Sequence, residues 1–167
     1  MLLKEGTEIM RTERLTLRRW TMNDREEFLR LSDDPEILRW TGRKVPSEAL
    51  FRYYVSLETA FAVTADGKVA GNISLFKNSV TDAFSCLDIY ECAFYFFPEY
   101  RGIGYGSEAL RAVLSYARSQ LYADAVIAGA MPENARSIGM IKKNGGAFCF
   151  DRKRPSVPDE KFYVFSL

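Results

Sequence analysis

The residues whose types and spacing could do chemistry gather in one stretch, Phe94 to Leu110. An aromatic run, Phe94-Tyr95-Phe96-Phe97, is ended by Pro98. Arg101-Gly102-Ile103-Gly104-Tyr105-Gly106 follows, and then Leu110, Val113, Leu114, Ala117 and Leu121 recur at helical spacing. Strand, glycine turn and helix start together make an anion site. The first turn of a helix has N–H groups without intrahelical partners and a partial positive charge. Glycine lets a phosphate approach those groups with no Cβ in the way, and Arg101 adds a forked cation. Two common phosphate motifs fail on spacing. Glycines at 102, 104 and 106 read G-x-G-x-G, not G-x-G-x-x-G, and Gly106-Ser107-Glu108 lacks the P-loop lysine.

The remaining inventory is defined by what is missing. The chain has no histidine, which excludes a Ser-His-Asp triad, a Cys-His pair and histidine metal ligands. Proton transfer must use carboxylates, tyrosines, lysines, thiols, backbone or water. Cys86, Cys92 and Cys149 are odd in number and lack C-x-x-C spacing, so reduced, mostly buried thiols are expected, with neither a disulfide framework nor a metal site.

These groups need a scaffold, and 167 residues suit one domain, 1–167. Hydrophobic content of 47% and aromatic content of 14% indicate a packed globular chain. A formal charge of +1 gives no bulk attraction for nucleic acid. No apolar run is long enough to span a membrane, and Lys4, Glu5 and Glu8 stand where a signal peptide would be apolar. A cytoplasmic protein is expected.

In chain order, residues 1–10 read as a loose lead-in and Arg14–Trp20 as a strand, with Leu15 and Leu17 on one face and Thr16 and Arg18 on the other. Thr21 and Asp24 form a capping arrangement for a helix to about Leu31, and Asp33-Asp34-Pro35 breaks it. A short helical turn carries Ile37 and Leu38, and Trp40–Lys44 is a loop. A second helix starts at Pro46-Ser47-Glu48 and carries Leu50, Phe51, Tyr54, Val55 and Leu57. Asp66-Gly67 joins two apolar runs as a tight hairpin. Lys77–Ser85 is a polar loop, and Leu87–Phe97 a long strand entering the glycine turn. A helix runs from about Gly104 to Leu121, and Ala125–Met131 is a strand buried on both faces. Asn144-Gly145-Gly146 stops a helix containing Ile138 and Ile141. Ala147–Asp151 and Lys161–Leu167 are the last strands, linked by Arg152–Asp159, with Arg152-Lys153-Arg154 in an exposed turn. The class is mixed α/β.

Arg101-x-x-Gly104-x-Gly106 after an aromatic strand resembles the coenzyme A pyrophosphate loop of the GNAT acyltransferase superfamily, and most of all its RimJ/RimL-like branch of ribosomal-protein N-terminal acetyltransferases. Thr12-Glu13-Arg14-Leu15-Thr16-Leu17-Arg18 is similar to that branch's first strand. Asn134-x-x-Ser137, followed by Lys143-Asn144-Gly145, is similar to its asparagine-bearing segment and last helix. The matches lie in the family's order along nearly the whole chain.

The resemblance implies an α+β GNAT fold, a mixed, mostly antiparallel sheet splayed into a V after the fourth strand and flanked by helices. It implies acetyl transfer from acetyl-coenzyme A to a primary amine, a protein N-terminus or a small amine, by a monomer or homodimer without a metal. The pyrophosphate would lie on Arg101, Gly102, Ile103, Gly104, Tyr105 and Gly106. The pantetheine arm would add along Phe94, Phe96 and Phe97, where a backbone N–H could also hold the oxyanion. Asn134, with Ser137 one turn on, matches the asparagine that bonds this arm; capping of the helix by Asn134 is the plainer alternative. Glu91 matches a glutamate common in the branch and is the candidate base, on one strand face with Ala93 and Tyr95. An acid in an aromatic run is either functional or paired, and pairing with an arginine is the alternative. Asp88 and Glu99 are the other acids considered. Trp40, Arg39 and Arg43 could touch an acceptor or simply be packed and solvated. The family's acid tyrosine matches Ile141, so no acid carries over. A non-catalytic acyl-coenzyme A binder and a domain merely sharing a glycine turn are the other two classes that fit.

Overall fold

The computed structural model describes residues 6–41, 47–77, 87–154 and 157–167. The expected loops at 42–44 and 78–85, and with them Arg43 and Cys86, lie outside the described residues, as do Pro46 and Pro155. The chain forms two compact units, Met1–Ser74 with Phe94–Ala109, and Leu75–Ala93 with Leu110–Leu167.

In the first unit, β1 (Glu8–Arg11) pairs antiparallel with β2 (Thr16–Arg19). The expected loose lead-in is therefore corrected: its second half is a strand. Four residues carry too little alternation to announce themselves, and the partner strand makes the element. Leu15 and Leu17 are buried on one face, as expected. A 3-10 turn at Met22–Asp24 precedes α1 (Arg25–Ser32). Asp24 accepts from the Thr21 N–H at 2.8 Å and from the Arg18 guanidinium at 2.7 and 2.8 Å. Burial opposes its charge, but these donors hold the Asp24 carboxyl below the usual range.

Phe28 on α1 packs against Trp20, Phe51 and Tyr54 at centroid distances of 5.0, 5.4 and 5.1 Å. After Asp33, Asp34 accepts from the N–H groups of Glu36 and Ile37 and starts α2 (Pro35–Thr41). Trp40, expected in a loop, lies on this helix, because Pro35 at its first position starts a helix rather than ending one. α3 (Ser47–Ser56) buries Phe51, Tyr54 and Val55. β3 (Ala60–Ala65) and β4 (Lys68–Lys77) form the expected hairpin, with Asp66 and Gly67 at φ 48° and 76°. The end of β5 (Ile89–Phe96) lies beside β4: a Cβ on Gly71 would stand 2.3 Å from the Tyr95 carbonyl oxygen, so only glycine permits this approach.

In the second unit the beginning of β5 pairs parallel with β6 (Ala125–Ala130) through Ile89–Glu91. α4 (Tyr105–Gln120) begins in the first unit and continues into the second. α5 (Ala135–Lys143) ends before Gly145, at φ 94°. β7 (Ala147–Arg154) and β8 (Val157–Ser166) are longer than expected, and the link between them is correspondingly short. Arg152, expected in an exposed turn, sits on β7, where it bonds Glu160 of β8 and lies over the Phe162 ring. The strand order is β1-β2-β3-β4-β5-β6-β8-β7, a mixed eight-stranded sheet with flanking helices, the α+β class expected.

Candidate functional site

The glycine turn is built by three local choices. Pro98 opens a 3-10 turn at Pro98–Tyr100, Gly102 and Gly104 take φ 77° and 92°, and α4 begins at Tyr105. The first intrahelical bond runs from Glu108 N–H to the Gly104 carbonyl at 3.1 Å. The N–H groups of Tyr105 and Gly106 precede it and carry the positive end of a 16-residue helix. A Cβ on Gly102 would meet nothing within 4 Å. Gly102, Ile103 and Gly104 are exposed, so the backbone is open to an anion.

Arg101 is placed differently from the expectation of a forked cation on phosphate. Its Nε donates to the Phe96 carbonyl at 2.7 Å, Nη1 pairs with Glu36, and Nη2 reaches Asp34 at 3.3 Å. These bonds tie the turn to the end of β5 and the start of α2. The cation at the turn itself is Arg14, whose sequence context marks it only as part of a strand. Arg14 Nη1 donates to the Ile103 carbonyl at 2.9 Å, and its guanidinium lies 4.8 Å from the Tyr105 ring centroid. Its Nε donates to Glu108 Oε2 at 2.7 Å, while Thr12 Oγ1 and the Arg14 N–H bond Glu108 Oε1 at 2.5 and 2.9 Å. Burial pushes the Glu108 carboxyl up, but Thr12 and Arg14 outweigh it and hold it low. A separation of 89 residues hides the Arg14–Ile103 contact from any local pattern.

The strand end offers main chain in the expected register. Phe97 N–H donates to the Ala70 carbonyl at 3.0 Å, and the Tyr95 carbonyl faces Gly71, so odd-numbered residues bond toward β4. Alternation turns the backbone of Phe94 and Phe96 to the opposite edge. Of those groups the Phe96 carbonyl is held by Arg101. The side chain of Tyr95 lines a cleft of about 490 Å³, counting solvent at its mouth, together with Phe28, Leu31, Leu50, Tyr54 and Asn72. The Tyr54 and Tyr95 hydroxyls lie 2.9 Å apart.

In the second unit Glu91 is half-buried and held by Arg152, whose Nη1 and Nη2 donate to its two oxygens at 3.2 and 3.3 Å. Asn134 caps α5, accepting from the Ser137 N–H at 3.1 Å. Ile141 is fully buried. Asp88 is exposed and paired with Lys77 at 2.7 Å, and Glu99 is exposed. Cys92 is buried, and burial pushes its thiol up, whereas Cys149 is exposed. Among the described residues no three Cys, Asp and Glu side chains gather as metal ligands, and no helix is long and apolar enough to cross a membrane.

A family model described as an acetyltransferase (GNAT) domain matches residues 14–147. The uncharacterized N-acetyltransferase YnaD of Bacillus subtilis (strain 168) is 26% identical over 141 residues, 80% of this chain and 79% of that protein. Among solved structures, yncA of Salmonella typhimurium, with its cofactor acetyl-CoA, is 21% identical, with a TM-score of 0.74 over 91% of this chain and 93% of that one. RimJ of Mycobacterium smegmatis in complex with CoA-disulfide is 16% identical, with a TM-score of 0.76 over 91% and 81%.

Proposed function

This chain belongs to the GNAT acetyltransferase family, and from that premise we propose that it moves the acetyl group of acetyl-coenzyme A to a primary amine by direct attack, as one domain over 1–167. The observation that carries the reading is the glycine turn. Gly102 and Gly104 adopt positive φ, no Cβ obstructs the approach, and the Tyr105 and Gly106 N–H groups open α4. This geometry fits the cofactor's pyrophosphate. Arg101 and Arg14 brace the turn through the Phe96 and Ile103 carbonyls.

The amide-rich pantetheine arm would bond the outward-facing backbone of Phe94 and the Phe96 N–H, continuing toward Phe97. Asn134 would meet the same arm through its amide while its carbonyl caps Ser137. The amine nitrogen attacks the thioester carbonyl carbon, a backbone N–H of the strand holds the developing oxyanion, and the carbon–sulfur bond breaks. Glu91, oriented by Arg152, takes the ammonium proton directly or through water. No acid stands at Ile141, so the thiolate either leaves unprotonated or takes its proton from Tyr95, Tyr105, Ser137 or water. The acceptor is a protein N-terminus, as the RimJ/RimL-like motifs at 12–18 and 134–145 imply by resemblance, or a small-molecule amine, and the proposed setting is cytoplasmic. The test is mass spectrometry of a panel of peptides and small amines incubated with acetyl-coenzyme A. Acetylated amine formed only with native protein supports the reading; none formed with any amine contradicts it.

A further inference from the structure

The cleft beside Tyr95 has a wall of unusual composition for a site that takes an amine. None of its described lining residues is charged: Phe28, Leu31, Ile37 and Leu50 are apolar, and Tyr54 and Tyr95 contribute hydroxyls. A polycation would leave its extra ammonium groups there without a counter-charge, which is unfavourable in a desolvated pocket. One of the residues lining the cleft, Asn72, also carries an unmatched donor. Asn72 Oδ1 accepts from Trp20 Nε1 at 2.9 Å and from Ser74 Oγ at 3.2 Å. Indole nitrogen can only donate, so the amide orientation is fixed by Trp20. Asn72 Nδ2 is then buried with no protein partner among the described residues. A buried donor is costly to leave unpaired, and an oxygen on a bound molecule would satisfy it.

We infer that this cleft selects an acceptor with an apolar side chain next to a carbonyl oxygen, the chemistry of an apolar α-amino acid residue. The inference rests on the acetyltransferase reading. Tyr95 lies between Phe94 and Phe96, so an amine reaching a thioester on that backbone passes the tyrosine pair. The apolar group packs against Phe28, Leu31 and Leu50, and the carbonyl oxygen accepts from Asn72. The same chemistry occurs in a free amino acid amide and at a peptide N-terminus; these are the two sources that the test separates.

The experiment compares kcat/KM for leucinamide, a tripeptide beginning with leucine, and spermidine, with acetyl-coenzyme A binding measured by calorimetry on the same protein. At least one leucine compound should exceed spermidine by about tenfold or more, the scale set by one or two apolar contacts. Which of the two is faster identifies the source. Leu38, 41% exposed at the cleft, allows a variant that need not disturb folding. Leu38→Glu should shift the ratio toward spermidine by about tenfold. Spermidine turned over as fast as the leucine compounds, or a ratio unmoved in Leu38→Glu, overturns the inference. Acetyl-coenzyme A bound but neither leucine compound acetylated also overturns it, while leaving the wider reading intact. No binding of acetyl-coenzyme A overturns both.

Discussion

Arg152 holds both carboxylate oxygens of Glu91, at 3.2 and 3.3 Å, and the same guanidinium reaches Glu160 at 2.7 Å. A candidate base and an ion pair are thus the same residue. The pair can orient the carboxylate toward a substrate, or it can merely tie β5 to β7. Glu91→Gln separates these roles, since glutamine keeps shape and hydrogen bonding but cannot take a proton. A general base contributes about 10²–10⁴ in rate. Glu91→Gln should therefore lower kcat by at least tenfold with cofactor affinity unchanged, measured across neutral pH. Full turnover would leave Glu91 as a structural tie.

Gly104 sits at φ 92°, and a Cβ there would stand 3.1 Å from Arg14 Nη2. Gly104→Val adds left-handed strain of about 1–2 kcal/mol and crowds the Arg14 guanidinium that bonds the Ile103 carbonyl, so the turn that would hold the pyrophosphate loses its shape. Acetyl-coenzyme A affinity should fall about tenfold or more, read by calorimetry. Unchanged affinity would place the cofactor elsewhere.

Arg14 reaches the Ile103 carbonyl and Glu108 at once through a planar fork. Arg14→Ala should loosen the turn and raise KM for acetyl-coenzyme A by several-fold, with kcat for saturated enzyme little changed. Lysine is a point charge and cannot make both contacts with the same geometry, so Arg14→Lys should rescue only partly. A KM equal to that of the native protein in Arg14→Ala would mean that the turn holds its shape unaided.

Acid should weaken the fold through Asp24, whose carboxyl is held low by Arg18 and Thr21 against burial. A depressed folded value means that the stabilisation is complete above the unfolded value of about 3.9 and fades as pH falls through the folded value. The melting temperature should drop as pH falls below about 4, and Asp24→Asn should flatten that part of the profile. The melting temperature of Asp24→Asn should also be lower at pH 7. Parallel acid profiles for native and variant protein would contradict this assignment.

The elements legible in the sequence were those with a strong local cause. Asp66-Gly67 determines its hairpin, Gly102 and Gly104 their turn, and Gly145 the end of α5. The aromatic strand was legible because Pro98 ends it. What stayed hidden was non-local. β1 needs β2 to exist as a strand. Arg101 is drawn toward Asp34 and Glu36 by partners more than 60 residues away, so its type alone suggested phosphate. Arg152 looked like part of an exposed basic turn because Glu91 and Glu160 converge on it only in the fold. Arg14 was visible as a motif residue, but its contact with Ile103 was not.

The central claim is that the glycine turn binds coenzyme A, and a thermal-shift comparison of acetyl-coenzyme A, ATP and NAD at matched concentration tests it most directly. A ligand at about 100 times its dissociation constant stabilises by about 2.7 kcal/mol, which for a chain of this size is several degrees. The account predicts that shift with acetyl-coenzyme A and little with the other two. An equal shift with ATP, or none with acetyl-coenzyme A, would contradict it.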